Sequence, residues 1–268
     1  MYRPTPSIQR IDNIEYIDRH SGPRVAFYGT RFRELTLPVG SRVIYPNAPM
    51  QPLQDVRAAI RHALSHPHEM EPLFALLKPG MKLTIAIDDI SLPLPGMVKP
   101  DIRELILTEI LKQCAEYGVE DIHMIIAICL HRRMTGPEIR EMVGDPIYSE
   151  YYPDRLYNHD AEDPDGIVEL GESEGGHVVR LNRRAVESDL LIYVNVNFVP
   201  MDGGHKSVTV GLCDYKSVSE HHNTKTMHKC HSYMDPRHDK SQLAKRVDLM
   251  GQLVDEKLKV FHIETAIN

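Results

Sequence analysis

The residues with the most chemical potential lie between Pro200 and His222, in PMDGGHKSVTVGLCDYKSVSEHH. Gly203 and Gly204 precede Lys206, and the paired histidines His221 and His222 follow about sixteen residues later. Glycines admit close backbone approach, a lysine amine can act as a covalent nucleophile, and imidazoles bind metals or move protons. A loop with only a structural task seldom needs all three. A lysine after glycines is more often a solvated cation, a reading weakened here by the neighbouring histidines and by the apolar run Asp189 to Phe198 that leads into the stretch. The phosphate-loop pattern G-x-x-x-x-G-K-[ST] is excluded, because the two glycines it requires are Pro200 and His205 in this chain.

Two other groups stand at comparable places. Asp88-Asp89-Ile90-Ser91 follows the apolar run Lys82 to Ile87, and His131 follows Ile122 to Leu130. In open parallel sheets ligands bind beyond the carboxyl ends of the strands, which is where both would fall. Each has a plain alternative: an aspartate capping a turn before proline, and a histidine satisfied within a loop. Five of the fifteen histidines, His221, His222, His228, His231 and His238, crowd one segment. Cys230 between His228 and His231 adds a sulfur donor, so a zinc-dependent hydrolase stands as an alternative, although the spacing fits no established zinc pattern.

Remote groups of this kind need a scaffold. With 268 residues, 42% of them hydrophobic, the chain can bury a sizeable core. Helical spacing of apolar residues predicts helices over Gln54–Leu64, Glu71–Leu77 and Asp101–Tyr117, one opened by a Thr135/Glu138 capping box and closed by Gly144, and a long one through Leu243, Val247, Met250 and Val254. Strands are predicted near residues 24, 42, 82, 122, 177, 190 and 259, with Asp145 to Gly176 polar and turn-rich, its acidic GIVELGESEGG run a solvated hairpin. Arg180, Arg183 and Arg184 read as a surface face. Alternating helices and buried strands predict an α/β fold, a mainly parallel Rossmann-like sheet flanked by helices, with Asp89, His131 and Lys206 meeting at one edge.

The net charge of -7 argues against general binding to nucleic acid or a membrane surface. Cys114, Cys129, Cys213 and Cys230 form no CxxC pair and suggest a reducing compartment. With no secretory apolar core and no long apolar span, a cytoplasmic location is expected.

Taken in order, Asp89-Ile90-Ser91-Leu92-Pro93, AICLHRRMT at Ala127 to Thr135, Asn158-His159-Asp160, GGHKSVTVG at Gly203 to Gly211, and His222 resemble the N-terminal domain of the lactate racemase family, over roughly residues 40 to 265. The resemblance implies a nickel-pincer nucleotide, a pyridinium mononucleotide whose two sulfur arms hold nickel. It implies that Lys206 carries this group as a thioamide, with Gly203 and Gly204 allowing its approach, and that His222 ligates nickel, with His221 as the alternative. His131 would be the general base on the substrate hydroxyl, and Asp89 and Ser91 would form the turn beside the cofactor. The chain would be a cofactor-binding domain over residues 1–268, with residues 1–40 as an extension and the family's C-terminal domain absent, so that a further domain or a partner subunit would complete the site; a homo-oligomer is also open.

Two departures qualify the expected activity. The family's arginine before proline is Leu92 here, and leucine cannot grip a carboxylate. The family's second catalytic histidine, expected in a Pro-His segment, is replaced where Met201 follows Pro200. They direct the expectation away from lactate to another 2-hydroxy acid or a polyol, or to a non-catalytic cofactor- or partner-binding subunit.

Overall fold

The structure, a computed structural model, describes residues 10–11, 13–28, 31–90 and 97–267; Ser91 and Leu92 lie outside them. The chain divides into two compact units, residues 1–52 with 93–96, and residues 53–92 with 97–267. In the first, β1 (Arg10–Ile11), β2 (Ile14–Tyr16) and β5 (Arg42–Ile44) form an antiparallel sheet, and β3 (Arg24–Tyr28) pairs with β4 (Arg31–Leu35) as a hairpin. Its buried Glu15 carboxylate accepts from Arg24 Nε at 3.0 Å and Tyr45 Oη at 2.7 Å.

The second unit is built on five parallel strands in the order β12-β11-β6-β7-β8: β6 (Lys82–Ile87), β7 (Asp121–Ile126), β8 (Leu156–Asn158), β11 (Leu190–Asn197) and β12 (Val260–Ala266). The expected α/β architecture with a parallel sheet is what the chain adopts. Alternate strand residues supply two cores. Leu83, Ile85 and Ile87, Met124 and Ile126, and Leu190, Ile192 and Val194 face one side, under α1 (Val56–Ser65), α2 (Leu73–Leu76), α3 (Ile102–Glu116), α4 (Gly136–Val143) and α5 (Asp145–Tyr151). Ala86, Ile125, Leu191 and Tyr193 face the other. There they meet the antiparallel hairpin β9 (Ile167–Glu172) and β10 (Val178–Asn182), α6 (Arg183–Val186), α7 (Gly204–Gly211), α8 (Tyr215–His221) and α10 (Gln242–Lys257); a short α9 (Thr224–Met227) lies between α8 and α10.

Several expectations need correction. The strand expected over Ile122–Leu130 stops at Ile126, because Cys129 takes a left-handed φ of 45° and its N–H turns to Gly211 O at 3.0 Å. His131 therefore sits in a tight turn, its N–H donating to Ile128 O at 2.7 Å. Pro200 to His222 is no single loop: two helices occupy most of it, α8 capped by the Asp214 side chain on Ser217 N. The polar stretch after Asp145 holds α5 and β8, since the proline after Asp145 starts a helix instead of a turn. Arg180 and Arg184 are more than a surface face. Arg180 pairs with the buried Asp214 at 2.9 Å, and Arg184 joins Asp121 at 2.7 Å to Leu83 O at 3.1 Å. The Thr135–Glu138 capping box is present as read.

Candidate functional site

The sheet delivers its chemistry at the carboxyl ends of β6, β7 and β11. Asp88 continues the β6 ladder, its N–H bonded to Val194 O at 3.1 Å. Its carboxylate accepts from Val196 N at 2.8 Å and Tyr193 Oη at 3.1 Å. Burial pushes this acid up to about 6, against the opposing pull of those donors and of the Lys206 charge.

Asp89 points the other way. Its Oδ2 lies 3.0 Å from His131 Nδ1, and this bond raises the His131 pKa above the usual imidazole value despite partial burial. The His131 side chain is 46% exposed, so its second nitrogen can meet a substrate while Asp89 orients the ring. Two devices fix the turn. Arg103 on α3, buried and held by both oxygens of Asp101 at 2.9 and 2.7 Å, donates to Asp88 O at 3.0 Å and Asp89 O at 3.2 Å. Asn158 at the end of β8 clamps Met134 through its N–H at 3.0 Å and its carbonyl at 2.8 Å. In the Asn158-His159-Asp160 motif the histidine is a structural one. Buried His159 donates from Nε2 to Cys213 O at 2.9 Å, so its Nδ1 accepts from Asn182 Nδ2 at 3.1 Å.

Lys206 lies in the first turn of α7, partly exposed, its Nζ 2.8 Å from Asp202 Oδ1. The other Asp202 oxygen takes the N–H groups of Phe198 at 2.9 Å and Val199 at 3.1 Å, so the amine is held by an anchored carboxylate. Gly203 and Gly204 have φ of 95° and 53°. The two serve different ends. A Cβ on Gly203 would strike the Glu264 carboxylate, whose Oε1 accepts the Gly204 N–H at 2.8 Å and whose Oε2 accepts Asn195 Nδ2 at 2.8 Å. Gly204 faces open space, and a Cβ there would meet nothing within 4 Å. Gly203 thus makes room for Glu264, while the space beside Gly204 is open.

His222 ends α8. Its ring packs edge-on to His221 and Tyr233, with centroids 4.7 and 5.8 Å away, and its outer side is open. Its Nδ1 lies 2.6 Å from His221 Nδ1, which leaves Nε2 as the nitrogen able to meet a ligand. His221 is fully buried, its Nε2 has no hydrogen-bond partner among the described residues, and burial lowers its pKa to about 3. His222 is held below the usual value by burial and by the charges of Lys206 and His131. The Lys206 charge enters the shifts of Asp88, His131 and His222, lowering each.

Arg103, Asp202, Asn195 and Glu264 were not singled out by the sequence. Only Asp202 left a signal there, standing four residues before Lys206 at the spacing of a helical ion pair. His228, His231 and His238 are exposed, and the Cys230 thiol donates to Thr226 O at 3.2 Å. Among the described residues no group of three or more His, Cys, Asp or Glu is arranged to hold a metal ion, so the zinc-hydrolase reading gains no support.

A five-stranded parallel sheet with helices on both faces is an α/β fold of the doubly wound type. The family follows from comparison: a model of the lactate racemase N-terminal domain matches residues 28–235, and the chain belongs to that family. The lactate racemase of Lactiplantibacillus plantarum is 25% identical over 170 residues, 61% of this chain and 38% of the relative. That of Thermoanaerobacterium thermosaccharolyticum is 24% identical over 167 residues, covering 61% and 37%. The matches therefore span little more than a third of either relative. Among solved structures, the lactate racemase apoprotein of T. thermosaccharolyticum superposes with a TM-score of 0.65 at 18% identity, covering 92% of this chain and 56% of that one. A Thermotoga maritima protein gives 0.60 at 18% identity, covering 82% and 53%. No helix among the described residues is long and apolar enough to cross a membrane.

Proposed function

We propose that this chain is the cofactor-binding domain of a racemase or epimerase acting on a 2-hydroxy acid or a related hydroxy compound. The observation that carries the reading is the His131–Asp89 pair at 3.0 Å, set where the charge of Lys206 acts on it and on His222. The residues fit a nickel-pincer nucleotide: Lys206 offers an accessible amine for covalent attachment, open space at Gly204 leaves room beside it, and His222 presents one free nitrogen, an imidazole donor suited to nickel. When bound, that group would supply an acceptor for the hydride, hydrogen with its electron pair, that leaves the substrate's C2 carbon.

This chain's own residues do the rest. His131 takes the proton of the substrate hydroxyl and returns it, while Asp89 stabilises the imidazolium and fixes its orientation. Asp202 holds the Lys206 amine in place, and Glu264 holds the turn that precedes it. A further domain or a partner subunit would grip the substrate carboxylate, the role that Leu92 is unable to fill. The test is the intact mass of protein co-expressed with the pincer-nucleotide biosynthesis enzymes. The expected result is an adduct on Lys206 with stoichiometric nickel; an unmodified lysine and no nickel would reject the reading.

One observation favours a non-catalytic, cofactor- or partner-binding role. Met201, where a second base is expected, is buried in an apolar cluster with Leu243, Ala244 and Val247. A methionine at this position gives the second face of a substrate no base. Turnover of chiral 2-hydroxy acids or polyols by the loaded, isolated chain would dispose of this role.

A further inference from the structure

Cys129 and Cys213 are buried free thiols whose sulfurs lie 3.8 Å apart, though 84 residues separate them in the chain. They flank a close approach between the backbones of the His131 turn and of the end of α7. A Cβ on Gly211 would come within 2.9 Å of Ala127 Cβ and 3.3 Å of its carbonyl oxygen, and Cys129 N–H donates to Gly211 O at 3.0 Å. Cys213 is pinned by an antiparallel bridge to Leu181 and by His159 on its carbonyl. The backbones that carry the two sulfurs are therefore tied to each other and to the hairpin, and the sulfurs have to close from 3.8 Å to a disulfide length of roughly 2.05 Å.

We propose that Cys129 and Cys213 are a modification site, forming an intramolecular disulfide when the protein meets a peroxide. The other two thiols differ in having no sulfur beside them: Cys114 is sealed in the apolar core, where burial pushes it up to about 12, and Cys230 lies against Thr226 O and Ser241 Oγ, whereas Cys213, which also donates to Val210 O at 3.2 Å, has the Cys129 sulfur within reach. Cys129 is the attacking member. It is 8% exposed beside the open His131 turn, and the Cys213 S–H and the His131 charge both favour its thiolate. Its thiolate breaks the O–O bond, becoming a sulfenic acid and releasing one water. The Cys213 sulfur then displaces the hydroxyl, which leaves with a proton as the second water. Two electrons pass from the sulfurs to the peroxide. The bond ties the His131 turn to the end of α7, the helix that bears Lys206, and closes a long loop, so the oxidised protein resists unfolding. This site stands independently of the proposed cofactor.

The experiment is peptide mapping of the whole chain after hydrogen peroxide, with alkylation in denaturant. The expected product is one linked peptide joining Cys129 to Cys213, lighter by two hydrogens, reversed by a thiol reductant and accompanied by a raised Tm. Cys114 and Cys230 should be recovered alkylated. In Cys213→Ser the link should vanish and Cys129 be trapped by a sulfenic-acid reagent. Full alkylation of both residues in the oxidised native chain, or links that involve Cys230 or a second chain instead, would overturn the proposal; the wild-type map decides even if the variant fails to fold.

Discussion

The two faces of the central sheet are packed by different rules. Under α1 to α5 the contacts of β6, β7 and β11 are almost entirely aliphatic, Leu83, Ile85, Ile87, Met124, Ile126 and Ile192 being sealed from solvent. On the other face the same strands meet a core mixed with buried polar groups: His159, Asn182, Asn195, Ser207, Thr209, Asp214, Ser217 and His221. Most of these are bonded to one another or to backbone, as Ser207 Oγ is to Asn195 Oδ1 at 2.8 Å and Ser217 Oγ to Arg180 N at 2.7 Å. An aliphatic face tolerates imprecise repacking, whereas a buried polar network fixes one arrangement. The site helices α7 and α8 stand on the second face. A deeply buried ion pair under the first, Arg103 with Asp101, lies where β6 ends and the site begins.

That exception offers the largest expected effect. Arg103→Met removes the guanidinium but leaves Asp101 buried without its partner and frees the Asp88 and Asp89 carbonyls. Breaking a buried pair in this way costs about 3–5 kcal/mol. Urea unfolding should show it, together with a loss of the raised His131 titration because the turn is no longer held. Ile85→Ala, wholly within the aliphatic face, should cost about 2–5 kcal/mol by opening a cavity and leave the His131 titration unchanged. A variant pair that moved both quantities together would erase the distinction between the faces.

The next effect is a pH slope on the polar side. The Asp88 acid is raised from 3.8 to about 6 by burial, so the folded chain binds its proton more tightly than the unfolded chain does. Its effect on stability is absent below about pH 4. It grows unfavourable as pH climbs from about 4 to about 6 and levels off above, at up to about 3 kcal/mol for one pKa unit per 1.36 kcal/mol. Asp88→Asn should flatten the urea midpoint between pH 4 and 6 relative to wild type; an unchanged slope would mean that other groups set it.

Much of the scaffold was legible because aliphatic periodicity reports burial directly. The apolar run at Lys82–Ile87 matches β6, and Asp101 and Tyr117 proved to be the caps of α3. The same signal misled at Ala127 to Leu130, where a buried turn is as apolar as a strand and only the left-handed backbone at Cys129 separates them. Gly203 and Gly204 suggested a loop although they start a helix. The supports of the site were mostly silent: Arg103 looked like one polar residue on an amphipathic helix, and Glu264 lies 60 residues from the Gly204 N–H that it accepts. Sequence shows which types are present, but long-range polar pairing is set by the fold.

A smaller effect concerns His131 alone. Asp89→Asn removes both the hydrogen bond and the negative charge that raise its pKa, so the imidazole should titrate lower, read from its ring proton shifts in NMR spectra against pH. Substitution of Asp202, which binds Lys206 instead, should leave that titration nearly in place; equal shifts would show that the two carboxylates act as one field.

The subtlest effect tests whether the polar face is a single electrostatic unit. Lys206 lowers the Asp88 acid across the gap between α7 and β6 without a direct bond to it, its own partner being Asp202. Lys206→Met should therefore move the Asp88 titration above about 6 by a fraction of a unit, and the same neutralisation should relax the His222 imidazole upward, since the Lys206 charge holds it down. The two shifts have one sign for one reason: a cation disfavours protonation of an acid and of a base alike. Carboxyl and ring resonances followed against pH would read both in one protein. Movement of His222 without Asp88 would confine the influence of Lys206 to the open side of the site, and the buried acid would then belong to the scaffold alone.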